Sequence, residues 1–346
     1  MYCTREKTKK IKVGNIVIGR TNNIVIQSMT KTKTSDIHKT IKQINLLNKL
    51  GSKLVRVAIL DNQDAKALVK IVKLSHCPII ADIHFNANFA LQAIKAKVAK
   101  IRINPGNLKN LNEFKQIIIA AKKNNVAVRI GVNAGSLPKN IKTNSQIINL
   151  IKKFVDICEK NKFYNIILSF KSSDANKTLE INKLLAQQFK YPLHIGATEA
   201  GDIKTSCVRS TLLISKLLNL KIGNTIRVSS SNDPYDEVII AKTILQENGF
   251  KVNLTHLISC PTCGRTQINL FKLLSEIKPI IDFNPKNITV AIMGCLVNGI
   301  NESKNANIGI YGLKNKYVVY LRHKKIGIFN YSETINKFKS IYTKYR

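Results

Sequence analysis

The chain contains no tryptophan and few acidic residues: 20 Asp and Glu stand against 56 Lys and Arg in 346 residues. Its formal net charge of +36 would suit a nucleic-acid or membrane-surface partner, since Lys and Arg neutralise phosphates. The excess is mostly Lys spread over nearly every segment, whereas nucleic-acid-binding proteins concentrate it on one face or arm. Lys, Asn and Ile share A/T-rich codons, so compositional drift explains the charge and nucleic acid is not favoured as a partner.

Long apolar runs are also missing. No segment approaches the ~20 consecutive apolar residues of a membrane-spanning helix, and no run of signal-peptide length follows the basic start, MYCTREKTKKIKVGN. We therefore expect a soluble, cytoplasmic protein without a membrane contact. The cysteines are odd in number and scattered, which argues against a disulfide scaffold in that setting and favours metal binding or catalysis. They are Cys3, Cys77, Cys158, Cys207, Cys260, Cys263 and Cys295.

Between residues 24 and 230, short β-branched runs alternate with longer amphipathic stretches of helical period. The runs are IVIQSM (24–29), LVRVAI (54–59), IIADIH (79–84), KIRINP (100–105), AVRIGV (127–132), IILSFK (166–171), LHIGAT (193–198) and TIRVSS (225–230). Eight strand–helix units in series predict a (β/α)8 TIM-type barrel of the α/β class, because a doubly wound sheet usually has fewer strands.

The pattern changes after the eighth helix. From residue 251 the order becomes strand, CPTCGR, helix, strand and a third Cys, followed by short strands near IGIYG, KYVVYL and KIGIFN and a last helix. This order predicts a smaller α+β domain over residues 251–346, with the barrel over residues 1–250. Residues 4–20, which contain KIKVGNIVIG, predict a hairpin at the bottom of the barrel.

Polar residues cluster toward the C-terminal ends of the barrel strands, where barrels carry active sites. Residues two apart share a face of a strand, and one face of a barrel strand points inward. Pairs on a shared face are Gln27 with Met29, Asp82 with His84, Arg102 with Asn104, Arg129 with Asn133, Ser169 with Lys171, and Arg227 with Ser229.

Cations dominate this set. Any single Arg could face outward or make a structural ion pair, but unmatched buried charges cost on the order of several kcal/mol per ion. An anionic ligand is therefore expected, and guanidinium groups match the oxygens of a phosphate or diphosphate ester. The cations are Arg56, Arg102, Arg129, Lys171 and Arg227, and the obvious strand-end acids are Asp82 and Glu199.

Three cysteines form a second candidate site. SCPTCGR (259–265) supplies Cys260 and Cys263, and Cys295 follows in IMGCLVNGINE. Thiolates so spaced suit zinc, with His256 completing a closed Cys3His site, or an iron–sulfur cluster with one iron left for substrate. A thioredoxin-like pair is disfavoured because the CxxC does not open the helix of a βαβ unit, and the radical-SAM Cys-x3-Cys-x2-Cys run is absent from the sequence.

The chain resembles the 4-hydroxy-3-methylbut-2-enyl diphosphate synthase (IspG/GcpE) family in its compact bacterial two-domain form. QSMT, ADIHF, RINPGN, RIGVNAGSL, TEAG, IRVS, CPTCGR and GCLVNG carry the resemblance over nearly the whole chain. It implies an oxidoreductase of non-mevalonate isoprenoid biosynthesis that reductively opens and dehydrates 2-C-methyl-D-erythritol 2,4-cyclodiphosphate. Two electrons from flavodoxin or ferredoxin would pass singly through a [4Fe-4S] cluster.

The resemblance also implies residue roles. The cluster ligands would be Cys260, Cys263, Cys295 and Glu302, and substrate oxygen could displace the Glu302 carboxylate because oxygen is a weaker iron ligand than thiolate. Glu199 of TEAG resembles the acid that protonates the departing hydroxyl. The residues implied to bind the cyclic diphosphate are Arg56, His84, Arg102, Asn104, Arg129, Asn133, Lys171, Arg227 and Ser229.

A homodimer is implied as well, with the cluster domain of one subunit capping the barrel of the other. The chain departs from the family at Lys31, where Asn is usual, at Asp202, where Gly is usual, and at Ile300-Asn301, where Pro-Gly normally precedes the Glu. The competing interpretation is a basic, zinc-binding barrel protein that binds nucleic acid.

Overall fold

The computed structural model describes residues 2–83, 86–108, 110–296 and 305–345. The chain divides into two compact units, residues 1–250 and 251–346. Within the described residues, every helix is too short or too polar to cross a membrane.

An antiparallel hairpin opens the first unit, formed by β1 (Ile11–Val13) and β2 (Ile16–Ile18). Its turn residue Gly14 has φ of +59°, and a Cβ there would lie 3.0 Å from Pro78, just before a barrel strand. The main-chain N–H of Lys12 donates to Asn165 Oδ1 at 3.1 Å, which ties the hairpin to the start of a second strand. The hairpin therefore lies at the amino-terminal ends of the barrel strands.

Eight parallel strands form the barrel. They are β3 (Val25–Met29), β4 (Leu54–Ile59), β5 (Ile79–Ile83), β6 (Lys100–Ile103), β7 (Ala127–Asn133), β8 (Ile166–Lys171), β9 (His194–Ile195) and β10 (Thr225–Ile226). Strands β3 to β8 pair with one another in chain order, and β10 pairs with both β9 and β3. A parallel bridge between Leu168 and Leu193 closes the ring between β8 and β9. The predicted (β/α)8 barrel is confirmed.

The last two barrel strands are shorter than the runs LHIGAT and TIRVSS suggest. Gly196 has φ of +153°, and a Cβ there would lie 2.2 Å from the Arg227 carbonyl oxygen, so only glycine permits this approach. The chain still pairs locally, because the Arg227 N–H donates to Ile195 O at 3.1 Å. Regular strand geometry thus ends just before Arg227.

Eight helices surround the barrel. They are α1 (Ile37–Leu50), α2 (Asn62–Leu74), α3 (Ala87–Lys95), α4 (Leu111–Lys123), α5 (Asn144–Lys160), α6 (Ala175–Gln188), α7 (Ile203–Asn219) and α8 (Pro234–Glu247). Each begins at an Asp, Asn or Thr whose side chain accepts a main-chain N–H of the first turn. Such caps contribute about 1 kcal/mol each. Five of the scarce acidic residues serve as caps: Asp36, Asp61, Asp174, Asp202 and Asp233.

In its described residues, the second unit is a five-stranded sheet with two helices. Its elements are β11 (His256–Ser259), α9 (Leu270–Phe283), β12 (Thr289–Met293), β13 (Ile308–Leu313), β14 (Lys316–Leu321), β15 (Lys324–Phe329) and α10 (Tyr331–Lys344). The strands follow chain order; the β11–β12 and β12–β13 pairs are parallel, and the other two are antiparallel. Leu273 of α9 and Phe338 of α10 are fully buried in one apolar cluster with sheet residues such as Ile292. The predicted α+β architecture is confirmed.

Candidate active site

A cavity of about 180 Å³ lies at the carboxyl ends of the barrel strands. Its lining is Met29, Arg56, Asp82, Arg102, Arg129, Asn133, Lys171, Thr198, Arg227 and Ser229. Seven of the nine residues predicted to bind a diphosphate are among them, contributed by β4, β6, β7, β8 and the segment after β10. We call this group of side chains the cation cavity.

A larger cleft of about 990 Å³ lies at the opposite end of the barrel, beside the hairpin. Lys10, Lys12 and Lys97 are among its lining residues, whereas the predicted site residues lie elsewhere. Barrel enzymes carry their chemistry at the carboxyl ends of the strands. The smaller cation cavity is therefore the better candidate site.

Asp82 lies between two cations of the cavity. Its Oδ1 is 3.3 Å from Arg102 Nη1, and its Oδ2 is 3.7 Å from Arg56 Nε. The three residues come from adjacent strands, with Asp82 on β5, Arg56 on β4 and Arg102 on β6. The parallel register thus places one buried carboxylate where it orients two guanidinium groups.

A second carboxylate, Glu237, was not predicted from the sequence. It lies in the first turn of α8, is 2% exposed, and places Oε2 3.6 Å from Arg227 Nη2. Its Oε1 accepts the Ser230 N–H at 3.0 Å and lies 3.2 Å from Lys31 Nζ. Only strand ends were searched for acids. Helix starts also face this end of a barrel, so an acid in the first turn of the helix after the eighth strand could have been predicted to lie here.

Arg129 and Lys171 are buried without an opposite charge at ion-pair distance among the described residues. Burial and the neighbouring cations lower the pKa of Arg129 and of Lys171 well below their usual values. Burial, followed by the charge of Arg56, lowers the pKa of Arg227 to about 10. The five cations of the cavity outnumber the two carboxylates at ion-pair distance from them, Asp82 and Glu237, and burying such a surplus is costly without an anion.

Several donors of the cavity have no acceptor in the described structure. Arg102 Nε, Arg129 Nη1 and Arg227 Nε are buried without a hydrogen-bond partner. Met29 Sδ lies 2.9 Å from Arg56 Nη2 and 3.5 Å from Arg227 Nη1. A thioether is a weak acceptor that carries no charge. These guanidinium groups thus keep both their charge and their capacity to bind an anionic ligand.

Asn104 is buried beside the cavity and does not line it. Its Nδ2 donates to Ser136 Oγ at 2.6 Å, and its Oδ1 accepts the Gly106 N–H at 3.2 Å. Ser136 Oγ in turn donates to the carbonyl of Asn133 at 2.9 Å. Asn104 therefore ties the loop after β6 to the turn that follows Asn133 at the end of β7. His84, the remaining predicted substrate residue, lies outside the described residues.

Glu199 occupies the loop between β9 and α7 and is exposed. Its φ of +52° is uncommon for a residue other than glycine, and such backbone strain clusters at functional sites. A Cβ on Gly135 would lie 3.8 Å from Glu199 Oε1, so the carboxylate approaches the loop after β7. Glu199 does not line the cavity; its neighbour Thr198 does.

A second layer of buried polar side chains, which was not predicted, lies two residues closer to the amino-terminal ends of the strands. Lys100 precedes Arg102 by two residues on β6, is fully buried, and lies 3.4 Å from Gln27 Oε1. His194 Nδ1 lies 2.8 Å from Thr225 Oγ1. Burial and nearby cations lower the pKa of Lys100 and of His194 well below their usual values. The sequence signal for Lys100 is its position two residues before Arg102, on the same face of β6.

The thiol edge, defined as Cys260, Cys263 and Cys295, follows the parallel strands β11 and β12. The Cys260 N–H donates to Ile292 O at 3.3 Å, and the Gly294 N–H donates to Cys260 Sγ at 3.1 Å. All three are free thiols, and Cys263 is exposed. Parallel pairing thus brings the thiols after β11 to the edge where Cys295 follows β12.

This donor set fits an iron–sulfur cluster. Soft thiolates select such clusters or zinc, and N–H donors to sulfur, such as that of Gly294, tune cluster potentials. Among the described residues, no three His, Cys, Asp or Glu side chains form a group that could hold a metal ion. Glu302 lies outside the described residues. His256 begins β11 and Cys260 follows its end, roughly 13 Å away at ~3.3 Å per residue. The predicted zinc site with His256 is therefore disfavoured.

Two residues that depart from the family pattern make defined contacts in the structure. Asp202 caps α7 by accepting the Thr205 N–H at 2.8 Å, so the acid stabilises a helix start. Lys31 Nζ donates to Ser230 O at 2.9 Å and pairs with Glu237. The third departure, Ile300-Asn301, lies outside the described residues.

Comparisons with known proteins cover both units. A family model described as the GcpE TIM-barrel domain matches residues 8–242, and one described as the GcpE protein C-terminal domain matches residues 256–344. The chain is 42% identical over 347 residues to "4-hydroxy-3-methylbut-2-en-1-yl diphosphate synthase (flavodoxin)" of Malacoplasma penetrans, covering 99% of this chain and 96% of that one. A protein of the same name from Exiguobacterium sibiricum is 43% identical over 328 residues, covering 93% and 89%.

Among solved structures, the barrel resembles dihydropteroate synthase from Xanthomonas albilineans in complex with 7,8-dihydropteroate. The TM-score is 0.52 at 9% identity, and the match covers 70% of this chain and 99% of that one. At such low identity the likeness shows the barrel fold alone.

Proposed function

The chain belongs to the GcpE family, and on that premise we propose that it is a 4-hydroxy-3-methylbut-2-en-1-yl diphosphate synthase that takes electrons from flavodoxin. It acts as an oxidoreductase of isoprenoid biosynthesis. Its substrate is 2-C-methyl-D-erythritol 2,4-cyclodiphosphate, and its product is (E)-4-hydroxy-3-methylbut-2-enyl diphosphate. The resemblance to this family that the sequence motifs predicted is confirmed by both family models and by relatives above 40% identity.

One observation supports the substrate most strongly: five cations face a cavity balanced by only two described carboxylates. A cyclic diphosphate carries the anionic oxygens that this surplus needs, and planar guanidinium groups bind such oxygens bidentately. Arg102, Arg129 and Lys171 are fixed on strands, so their charges are placed before the ligand arrives. We assign binding and orientation of the diphosphate to these residues together with Arg56, Asn133, Arg227 and Ser229, and also to His84. Asn104 fixes the turn that follows Asn133.

We assign the [4Fe-4S] cluster to Cys260, Cys263, Cys295 and Glu302. Such a cluster, when bound, supplies electrons one at a time for the reductive ring opening. The hydroxyl that leaves the substrate departs as water and so needs a proton, which we assign to Glu199. Its exposed position on the loop after β9 gives the carboxyl group access to protons from solvent.

The partners follow from the same premise. Flavodoxin is the donor in the names of the relatives, and we extend that role to this chain. We also propose a homodimer in which each barrel is completed by the cluster domain of the other subunit. Mixing Arg129→Met subunits with Cys263→Ser subunits tests this arrangement at a substrate concentration too low to saturate Arg129→Met, because only a shared site recovers turnover.

Anaerobic purification followed by iron, sulfide and zinc analysis tests the proposal, together with turnover of the cyclic diphosphate by reduced flavodoxin. We expect brown, oxygen-sensitive protein containing iron and sulfide and forming the linear diphosphate. Cys207→Ser is the matched control, because this thiol lies on α7 and the variant should keep its colour. Colourless protein with stoichiometric zinc and salt-dependent nucleic-acid binding would instead support the competing zinc protein.

A further inference from the structure

Glu237 is a buried carboxylate that contacts the cation cavity only through another residue. It does not line the cavity, yet its Oε2 lies 3.6 Å from Nη2 of Arg227, which does. Its second oxygen is held by the Ser230 N–H and by Lys31. Glu237 thus connects a partly exposed lysine to a guanidinium group of the site.

We propose that Glu237 and Lys31 together position Arg227 for binding of the substrate diphosphate. This inference rests on the proposed function, because it concerns how the same cavity holds its ligand. Neither residue touches the cavity itself, so both are positioning residues that act through Arg227.

The two oxygens of Glu237 have different surroundings. Oε1 is fixed by two contacts, whereas Oε2 is buried without a hydrogen-bond partner in the described structure. Arg227 Nε is also buried and unpartnered. The ion pair at 3.6 Å therefore attracts the guanidinium group without using up its donors. Arg227 is held near Glu237 and can still donate to a phosphate oxygen.

Lys31 holds Glu237 in place relative to the barrel strands. It follows β3, and its Nζ donates to Ser230 O after β10, so it joins the first and last barrel strands beside the cavity. It also shares the charge of Glu237 with Arg227, which limits how far the carboxylate neutralises that guanidinium group. The side chain of Lys31 is 33% exposed, so solvent weakens its attraction relative to the buried pair.

The variant Glu237→Gln distinguishes positioning from simple charge balance, because the two roles predict opposite signs. Removing a negative charge makes the cavity more positive, so charge balance alone predicts tighter binding of inorganic diphosphate. Positioning predicts that the Kd for inorganic diphosphate rises by roughly threefold to tenfold and that kcat falls about tenfold, because Arg227 loses its orientation. Equal or tighter binding with unchanged kcat overturns the proposal.

Lys31→Gln and the double variant complete the test. Lys31→Gln should raise the Kd about threefold, and Lys31→Gln/Glu237→Gln should be no worse than Glu237→Gln alone, since coupled residues are not additive. Additive effects would overturn the joint role. The lysine control is Lys39→Gln on α1, which removes an exposed ion pair with Asp36 and should leave the Kd and kcat unchanged.

Folding and function are separated by two further measurements. Circular dichroism and thermal unfolding identify a variant that fails to fold. If Glu237→Gln does not fold, Glu237→Asp carries the test, because it keeps the charge and shortens the reach to Arg227, so that positioning alone predicts weaker binding. Wild-type protein is assayed first, because failure of wild type to bind inorganic diphosphate or to turn over the cyclic diphosphate contradicts the proposed function. Normal wild-type behaviour with unaffected variants contradicts this inference alone.

Discussion

The cation cavity and the thiol edge both follow the carboxyl ends of parallel strands, but they are built differently. In the cavity, Arg102, Arg129 and Lys171 belong to strands and are at most 7% exposed. At the thiol edge, the cysteines lie in segments after β11 and β12, and Cys263 is exposed. The cavity is thus held in place by the barrel itself, at the cost of burying like charges.

This difference indicates which region depends on its ligand for its shape. Cations fixed on strands are arranged for the diphosphate before it binds, so the ligand mainly relieves repulsion. Thiols on loops are held by hydrogen bonds such as the one from the Gly294 N–H to Cys260, and would gain order from a bound metal. The two regions should therefore respond independently to mutation.

The largest expected effect comes from Cys263→Ser. We expect loss of bound iron and a fall in turnover of at least roughly 100-fold, since even outer-shell changes at metal sites cost 10–100-fold. Binding of inorganic diphosphate to the cavity should stay within a factor of about two, because the barrel does not need the thiols to place its cations. Iron analysis and calorimetry measure the two properties on one sample. A parallel loss of diphosphate binding would show that the regions are not independent.

A smaller effect is expected from Arg129→Met. A hydrogen bond to a charged group contributes about 1.5–3 kcal/mol, so the Kd for inorganic diphosphate should rise roughly 10–100-fold while iron content stays unchanged. Without ligand, the variant should be as stable as wild type or more stable, because a buried, unmatched charge has been removed.

Calorimetric titration and thermal unfolding of this variant are compared with Lys66→Met, which removes an exposed cation on α2. Marked destabilisation of ligand-free Arg129→Met would contradict the charge surplus.

The smallest effect concerns pH. Burial, then Arg129, Arg227, Arg56 and Arg102, lower the pKa of Lys171 well below 10.5. Between the lowered pKa of Lys171 in the folded protein and 10.5, the unfolded chain binds more protons than the folded one, so the stability of the ligand-free protein rises with pH there. As the pH rises past the folded pKa, the cavity loses the positive charge of Lys171. Diphosphate binding should weaken as pH rises through this window.

The matched variant is Lys171→Arg, which keeps its charge to higher pH. Across a titration from about pH 6 to about pH 10, the rise in Kd should be a few-fold smaller in this variant than in wild type. Equal rises would mean that Lys171 does not lose its charge in that range.

Much of the barrel and of the cavity could be predicted because both follow simple periodicities. Alternation of side chains placed Arg102 and Arg129 on inward faces, and the excess of cations pointed to an anion before any fold was known. The thiol edge could be predicted from spacing, since parallel neighbours bring Cys260 and Cys295 to one edge of a sheet. The ligand roles of these residues remain proposals.

Other features depend on contacts between distant segments, which local patterns do not contain. Glu237 reaches Arg227 from a helix, and its pairing with Lys31 spans 206 positions of the chain. The short β9 depends on the approach of Gly196 to the Arg227 carbonyl. Asn104 was predicted to bind substrate, and its hydrogen bonds to Ser136 and Gly106 became visible only in the folded chain.

The central claim is that the surplus of cations in the barrel accommodates a diphosphate. Thermal unfolding of the whole protein with and without 2-C-methyl-D-erythritol 2,4-cyclodiphosphate tests it most directly. At a ligand concentration 100 times the Kd, binding stabilises by about 2.7 kcal/mol, so the Tm should rise by roughly 4 °C. In Arg129→Met, whose Kd should be roughly 10–100-fold higher, the same concentration should stabilise by only about 0.4–1.4 kcal/mol, so the Tm should rise by about half as much as in wild type or less. An unchanged Tm in wild type at millimolar ligand would contradict the account.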